Sequence, residues 1–278
     1  MVAQGGAGRN RVGTAGYRVG MDCRIGDVSV HYAEHGEGVP LVALHGAGVD
    51  HREIEAALEP IIPSTGYRRI YPDLPAMGRS TADGLAGNRD VVDLLGAFIA
   101  RVVGGPVLLA GHSYGAYLAR GIAARHPDAI LALALICPLG GTGDLPEPRA
   151  AIETPDAHDE LAPDQRDGFD EYFVVRTPAT ARRYRDAVVP GTKAVDQAAL
   201  ERVFSDWDVD VDASEPAVPT LLVAGRRDST AGYAHATELL EAYPRASLAI
   251  LEDAGHALMH ERPEVLSALL ADWLRRAA

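Results

Sequence analysis

The chain has little of what several functional classes require. Its 278 residues include only two cysteines, Cys23 and Cys137, and these give neither a short metal-ligand spacing nor a disulfide framework. Both read as small apolar filler. Positive charge is in deficit: 26 Lys and Arg against 39 Asp and Glu leave a net charge of -13. Such a surface repels a phosphate backbone, which excludes nucleic acid as the main partner. No apolar run is long enough for a membrane span, no internal repeat is present, and the acidic stretches are too short to be interaction tails. No secretory leader precedes the first cysteine, so a cytoplasmic location is the default expectation.

What is present suits a folded soluble protein, with 47% hydrophobic and 23% charged residues. Residues 1–20 are rich in glycine and alanine without periodicity and are expected to form a flexible arm. From Met21 two short alternating segments, Met21–Ile25 and Val28–Glu34, flank Gly26-Asp27 and predict a hairpin. Helical apolar spacing over His51–Ile62 and Asn88–Val103 then alternates with apolar strands, among them Ile130–Ile136, which is apolar on both faces as a covered central strand should be. This alternation predicts a mostly parallel, doubly wound α/β sheet with its ligands at the carboxyl ends of the strands. It breaks between Pro138 and about Val218, where Gly and Pro cluster first and three helices are expected near 163–175, 178–188 and 197–207. The division expected is a first core part over 21–137, an inserted helical cap over 138–217 and a second core part over 218–278.

One segment carries chemistry in its local pattern. Val107–Ala110 is apolar, Gly111-His112-Ser113-Tyr114-Gly115 follows, and a small-residue helical pattern comes next. A serine on so sharp a strand-to-helix turn is a nucleophile elbow, with glycines two residues to either side so that strand and helix can pass closely. An acid, Asp228, follows the strand that starts at Pro219. A histidine, His256, follows the strand Ala246–Leu251. Serine, acid, histidine is the chain order of the α/β-hydrolases, and from about Met21 onward the chain resembles that superfamily. His45-Gly46-Ala47-Gly48 is similar to its oxyanion loop. Asp73-Leu-Pro-Ala-Met-Gly-Arg-Ser80 is similar to its Asp-x-Pro-Gly-x-Gly-x-Ser loop, with Ala76 standing where the family often has glycine.

The resemblance implies a serine hydrolase, esterase-like and capped, acting on a small-molecule acyl substrate: a carboxylic ester with a small or medium, largely apolar acyl group, or a lactone or thioester. Ser113 would attack a carbonyl, His256 would act as base and Asp228 would orient it. The backbone N–H groups of Ala47 and Tyr114 would hold the oxyanion, each such donor being worth ~3 kcal/mol of barrier. No metal and no organic cofactor is required. Gly46-Ala47-Gly48 lacks the Lys-Ser/Thr ending and the longer spacing of a phosphate loop. Asp253 is a rival acid and His260 a rival histidine, the latter expected to serve at a helix end or on the surface. His112 is expected to pack beside the nucleophile and His45 to brace its loop. Arg176, Arg182, Arg183 and Arg185 read as a solvated helix face, and Phe169, Tyr172, Phe173, Tyr184, Phe204 and Trp207 as cap core with one or two members facing the pocket. Within the family, carbon–carbon bond hydrolysis, aminopeptidase and acyltransferase activity stay open. So do a ligand-binding receptor and a cofactor-free lyase or oxygenase.

Overall fold

The computed structural model describes residues 18–140, 150–209 and 217–277. Most of the expected arm, 1–20, lies outside them. The hairpin forms from β1 (Arg18–Ile25), which starts earlier than the alternation indicated, and β2 (Val28–His35), paired antiparallel. Then follow β3 (Gly38–Leu44), α1 (His51–Leu58), β4 (Gly66–Pro72), α2 (Asn88–Val102), β5 (Val107–His112), α3 (Tyr114–Arg125) and β6 (Ile130–Ile136). Helix α1 is shorter than the apolar spacing suggested. The Asp50 carboxylate starts it by accepting from the Arg52 amide at 3.1 Å, a capping bond that satisfies one free first-turn donor.

Between β6 and the next long strand the described chain forms the two-residue β7 (Ile152–Glu153), α4 (Arg166–Tyr172), the two-residue β8 (Val175–Arg176), α5 (Pro178–Arg183), α6 (Val189–Thr192) and α7 (Gln197–Phe204). Thr177 caps α5 with Pro178 at its first position, and Asp196 caps α7. A π-turn over 184–188 joins α5 to α6. The chain then resumes through β9 (Thr220–Gly225), α8 (Ala234–Ala242), β10 (Ala246–Leu251), α9 (Leu258–Glu261) and α10 (Pro263–Ala277).

The eight long strands make one sheet in the order β1-β2-β4-β3-β5-β6-β9-β10, parallel from β4 to β10. Alternation along β3 divides the core: Val42 and Leu44 pack with α2 and α3, whereas Leu41 and Ala43 pack with α1 and α10. Burial on both faces is what the continuous apolar runs of β5 and β6 require. A third apolar cluster, containing Phe169, Phe173, Ala181, Tyr184 and Val188, lies within the inserted helices. Among the described residues no helix is long and apolar enough to cross a membrane.

Candidate active site

Three loops at the carboxyl ends of β5, β9 and β10 bring Ser113, Asp228 and His256 together. Ser113 lies between β5 and α3 with φ 53° and ψ -117°, a conformation L-residues avoid. Two close approaches enforce the turn. A Cβ on Gly111 would lie 2.4 Å from the Gly115 carbonyl oxygen, and one on Gly115 would lie 2.2 Å from that of Leu44. The Ser113 amide donates to the Ile136 carbonyl at 2.9 Å, fixing the turn against β6.

Ser113 Oγ is 2.9 Å from His256 Nε2, and His256 Nδ1 is 2.9 Å from Asp228 Oδ2. The carboxylate on Nδ1 selects the tautomer with its proton there, leaving Nε2 as acceptor for the serine hydroxyl. The other Asp228 oxygen accepts from the Thr230 and Ala231 amides at 2.8 and 2.9 Å. Burial alone would raise the Asp228 carboxyl. The adjoining His256 and these two amides outweigh it and hold the group below its ordinary value. Asp253 points elsewhere, 3.5 Å from an Arg227 nitrogen.

Ser113 and His256 open onto a cavity of about 430 Å³, lined in part by Gly46, Ala47, Gly48, His112, Tyr172 and Tyr184. His45 braces the loop after β3: its Nδ1 donates to the Gly46 carbonyl at 2.7 Å, and its Nε2 accepts from the Leu74 amide at 2.9 Å. Ala47 thus faces the same space as Ser113. Tyr114 opens α3, so its amide is among the helix N-terminal donors that lack an intrahelical acceptor.

A second polar chain, which sequence reasoning missed, runs beneath this space. Glu53, fully buried on α1, lies 2.9 Å from His112 Nδ1 and accepts from the Tyr172 hydroxyl at 2.7 Å. His112 Nε2 is 2.9 Å from the backbone carbonyl of His256. The Glu53 carboxylate beside Nδ1 favours the charged form of the His112 ring. Burial opposes its charge, but Glu53 raises its pKa. Burial likewise works against the Glu53 carboxylate, but His112 brings it down to about 2. The one sequence signal was an acid at the start of an otherwise apolar helix face, beside Ile54, Ala57 and Leu58.

His260 needs correction. It is 1% exposed rather than at the surface, its Nε2 reaches no hydrogen-bond partner among the described residues, and burial pushes it down to about 4. It stands on α9, a single turn packed inside the protein, where a four-residue window has too little pattern to reveal burial. Phe204 and Trp207 are corrected as well: they pack on Tyr114 and Tyr117 of α3 instead of joining the aromatic cluster of the inserted helices. The four arginines are engaged: Arg176 with Asp170 and Glu153, Arg182 and Arg185 with Glu160, and Arg183 with the His260 carbonyl.

Among the described residues, two sets of potential metal ligands each gather their donor atoms within 4.8 Å: His112, Cys137 and His256 in one, and Asp50, His51 and Asp73 in the other. Members of both are held by protein partners. Cys137 donates to the Gly255 carbonyl, and Asp73 Oδ1 accepts from the amide and ring of His51.

Comparison with known proteins bears on the family and the fold. The chain is 26% identical over 278 residues to the 2-hydroxy-6-oxo-6-phenylhexa-2,4-dienoate hydrolase of Comamonas testosteroni, spanning 91% of this chain and 93% of that one. It is 26% identical over 251 residues to the pimeloyl-[acyl-carrier protein] methyl ester esterase of Aromatoleum aromaticum (84% and 98%). A 111-residue match at 37% identity to the (E)-2-((N-methylformamido)methylene)succinate hydrolase of Acinetobacter baylyi spans only 39% of this chain and 41% of that one. The structure of an alpha/beta superfamily hydrolase from Oenococcus oeni superposes with a TM-score of 0.79 at 24% identity, covering 89% and 96%. The alpha/beta hydrolase family pattern matches residues 41–269, and the chain belongs to that family.

Proposed function

We propose that the protein is a serine hydrolase that cleaves a small or medium carboxylic ester, lactone or thioester. The observation that carries this reading is the 2.9 Å contact between Ser113 Oγ and His256 Nε2, with Asp228 behind the ring and a cavity in front. His256 takes the serine proton as Ser113 attacks the carbonyl, and Asp228 stabilises the imidazolium. The Ala47 and Tyr114 amides receive the oxyanion. The alcohol leaves with the proton from His256, and water then repeats the sequence on the acyl-enzyme to release the acid. The helices inserted between β6 and β9 act as a cap that shapes the pocket. The likeness to a methyl ester esterase supports the ester reading.

A second reading, hydrolysis of a carbon–carbon bond, is favoured by the likeness to the Comamonas testosteroni dienoate hydrolase. The test is labelling with a fluorophosphonate, followed by turnover of p-nitrophenyl esters of rising acyl length beside a 2-hydroxy-6-oxo-dienoate. The expected result is labelling and ester turnover, both lost in Ser113→Ala. Dienoate cleavage without ester turnover would replace the ester reading with the second.

A further inference from the structure

We propose that the pocket discriminates by charge, rejecting carboxylate-bearing acyl groups and favouring one with a cationic end, with Glu171 as the specificity-determining residue. This deepens the ester reading and rests on it. Among the described residues that line the cavity there is no lysine and no arginine. The ionisable ones besides tyrosines are Glu53, His112, Glu171 and His256. Glu53 and His112 face each other at 2.9 Å, and His256 is engaged by Asp228. That leaves Glu171, exposed on α4, which forms no ion pair among the described residues.

Its placement is directional. Gly168, Glu171 and Tyr172 all line the cavity and recur at helical spacing, so one face of α4 forms this wall. Gly168 leaves room for the Tyr184 hydroxyl, which would lie 2.4 Å from a Cβ there. The Tyr172 and Tyr184 rings thus share the cavity wall with the carboxylate. An aromatic face and an anion are the two groups that attract an alkylammonium. The arginines that an anion would need are engaged elsewhere in the inserted segment. The net charge of -13 adds a long-range preference of the same sign.

Three p-nitrophenyl esters of one acyl length, ending in methyl, trimethylammonium or carboxylate, test this. Relative kcat/KM is measured on the wild type, and binding on Ser113→Ala by calorimetry. The ammonium ester is expected to lead the methyl ester by about five-fold and the carboxylate ester to trail by about ten-fold or more. In Glu171→Gln the ammonium-to-methyl ratio should fall toward one, and in Glu171→Arg the charge order should reverse. Ratios within one variant do not depend on the fraction of folded protein. A carboxylate ester that binds or reacts as well as the ammonium ester overturns the proposal. So does a ratio unmoved by Glu171→Gln, or no binding of any ester at millimolar concentration. If the charge order holds in binding while no ester turns over, the hydrolase reading fails and the charge selection stands.

Discussion

Asp228 holds the proton of His256 on Nδ1, and an amide in its place can present an N–H to that nitrogen and invert the tautomer. Asp228→Asn should therefore lower kcat about 10⁴-fold with little change in KM, measured by ester hydrolysis. Ala76 carries a different burden. Its φ of 67° lies in the left-handed region, where a side chain costs roughly 1–2 kcal/mol. Ala76→Gly should raise the unfolding free energy by up to ~1 kcal/mol in urea titrations, the relief being reduced by the greater freedom of glycine in the unfolded chain. At this scale the sequence was legible where a residue's role depends on its immediate neighbours. Ser113 stands in a five-residue signature, and the departure at Ala76 could be seen against the loop around it. Glu53 was illegible, because its meaning comes from His112 and Tyr172, which only the folded chain brings to it.

Among elements, one tight constraint is the crossing of α3 over β3. Gly115→Ala would drive a methyl group to 2.2 Å from the Leu44 carbonyl oxygen, and backbone cannot yield as a flexible side chain does. The expected outcome is destabilisation by about 3 kcal/mol or more, or no soluble protein, read by thermal melting and expression. Tyr172→Phe tests a softer joint. Losing the hydroxyl that α4 gives to Glu53 should cost ~1–2 kcal/mol of stability. Its T-shaped approach to His256, 6.1 Å between ring centres, stays available to phenylalanine. The long strands and the helix α2 were legible from period and length. In the inserted segment the helices expected near 163–175, 178–188 and 197–207 correspond to α4, to α5 with its π-turn, and to α7, whereas α6 and the two-residue strands were not legible. Its helices are short, α5 passes into a π-turn, and their aromatic residues point partly into one another and partly into the pocket, so no single period describes them.

Across the whole molecule, buried titratable groups set the pH range of the fold. His260 has its folded-state pKa lowered to about 4 by burial, so below 6.5 the unfolded chain binds a proton that the folded chain does not. That contribution, roughly 3 kcal/mol, is present above pH 6.5 and is lost as pH falls toward 4. Glu53 and Asp73, both held down to about 2, extend the loss below pH 4.5. His112 has the opposite sign: its raised pKa stabilises fully below 6.5 and less as pH rises through the folded-state value. His260→Leu should flatten the decline in urea midpoint between pH 6.5 and 4 while leaving the alkaline limb in place. Net charge and the parallel sheet could be read before folding, but these titrations depend on burial that no composition reports. Glu261 acts at the same scale. One of its oxygens accepts from the Val174 and Val175 amides at 2.7 and 3.0 Å, and the other from the Gly255 amide, next to His256, at 2.6 Å. The segment at β8 and the loop that carries His256 are thus tied to one carboxylate. Removing that carboxylate, as in Glu261→Ala, would therefore free both segments at once, and the loss of stability and of His256 placement should appear together.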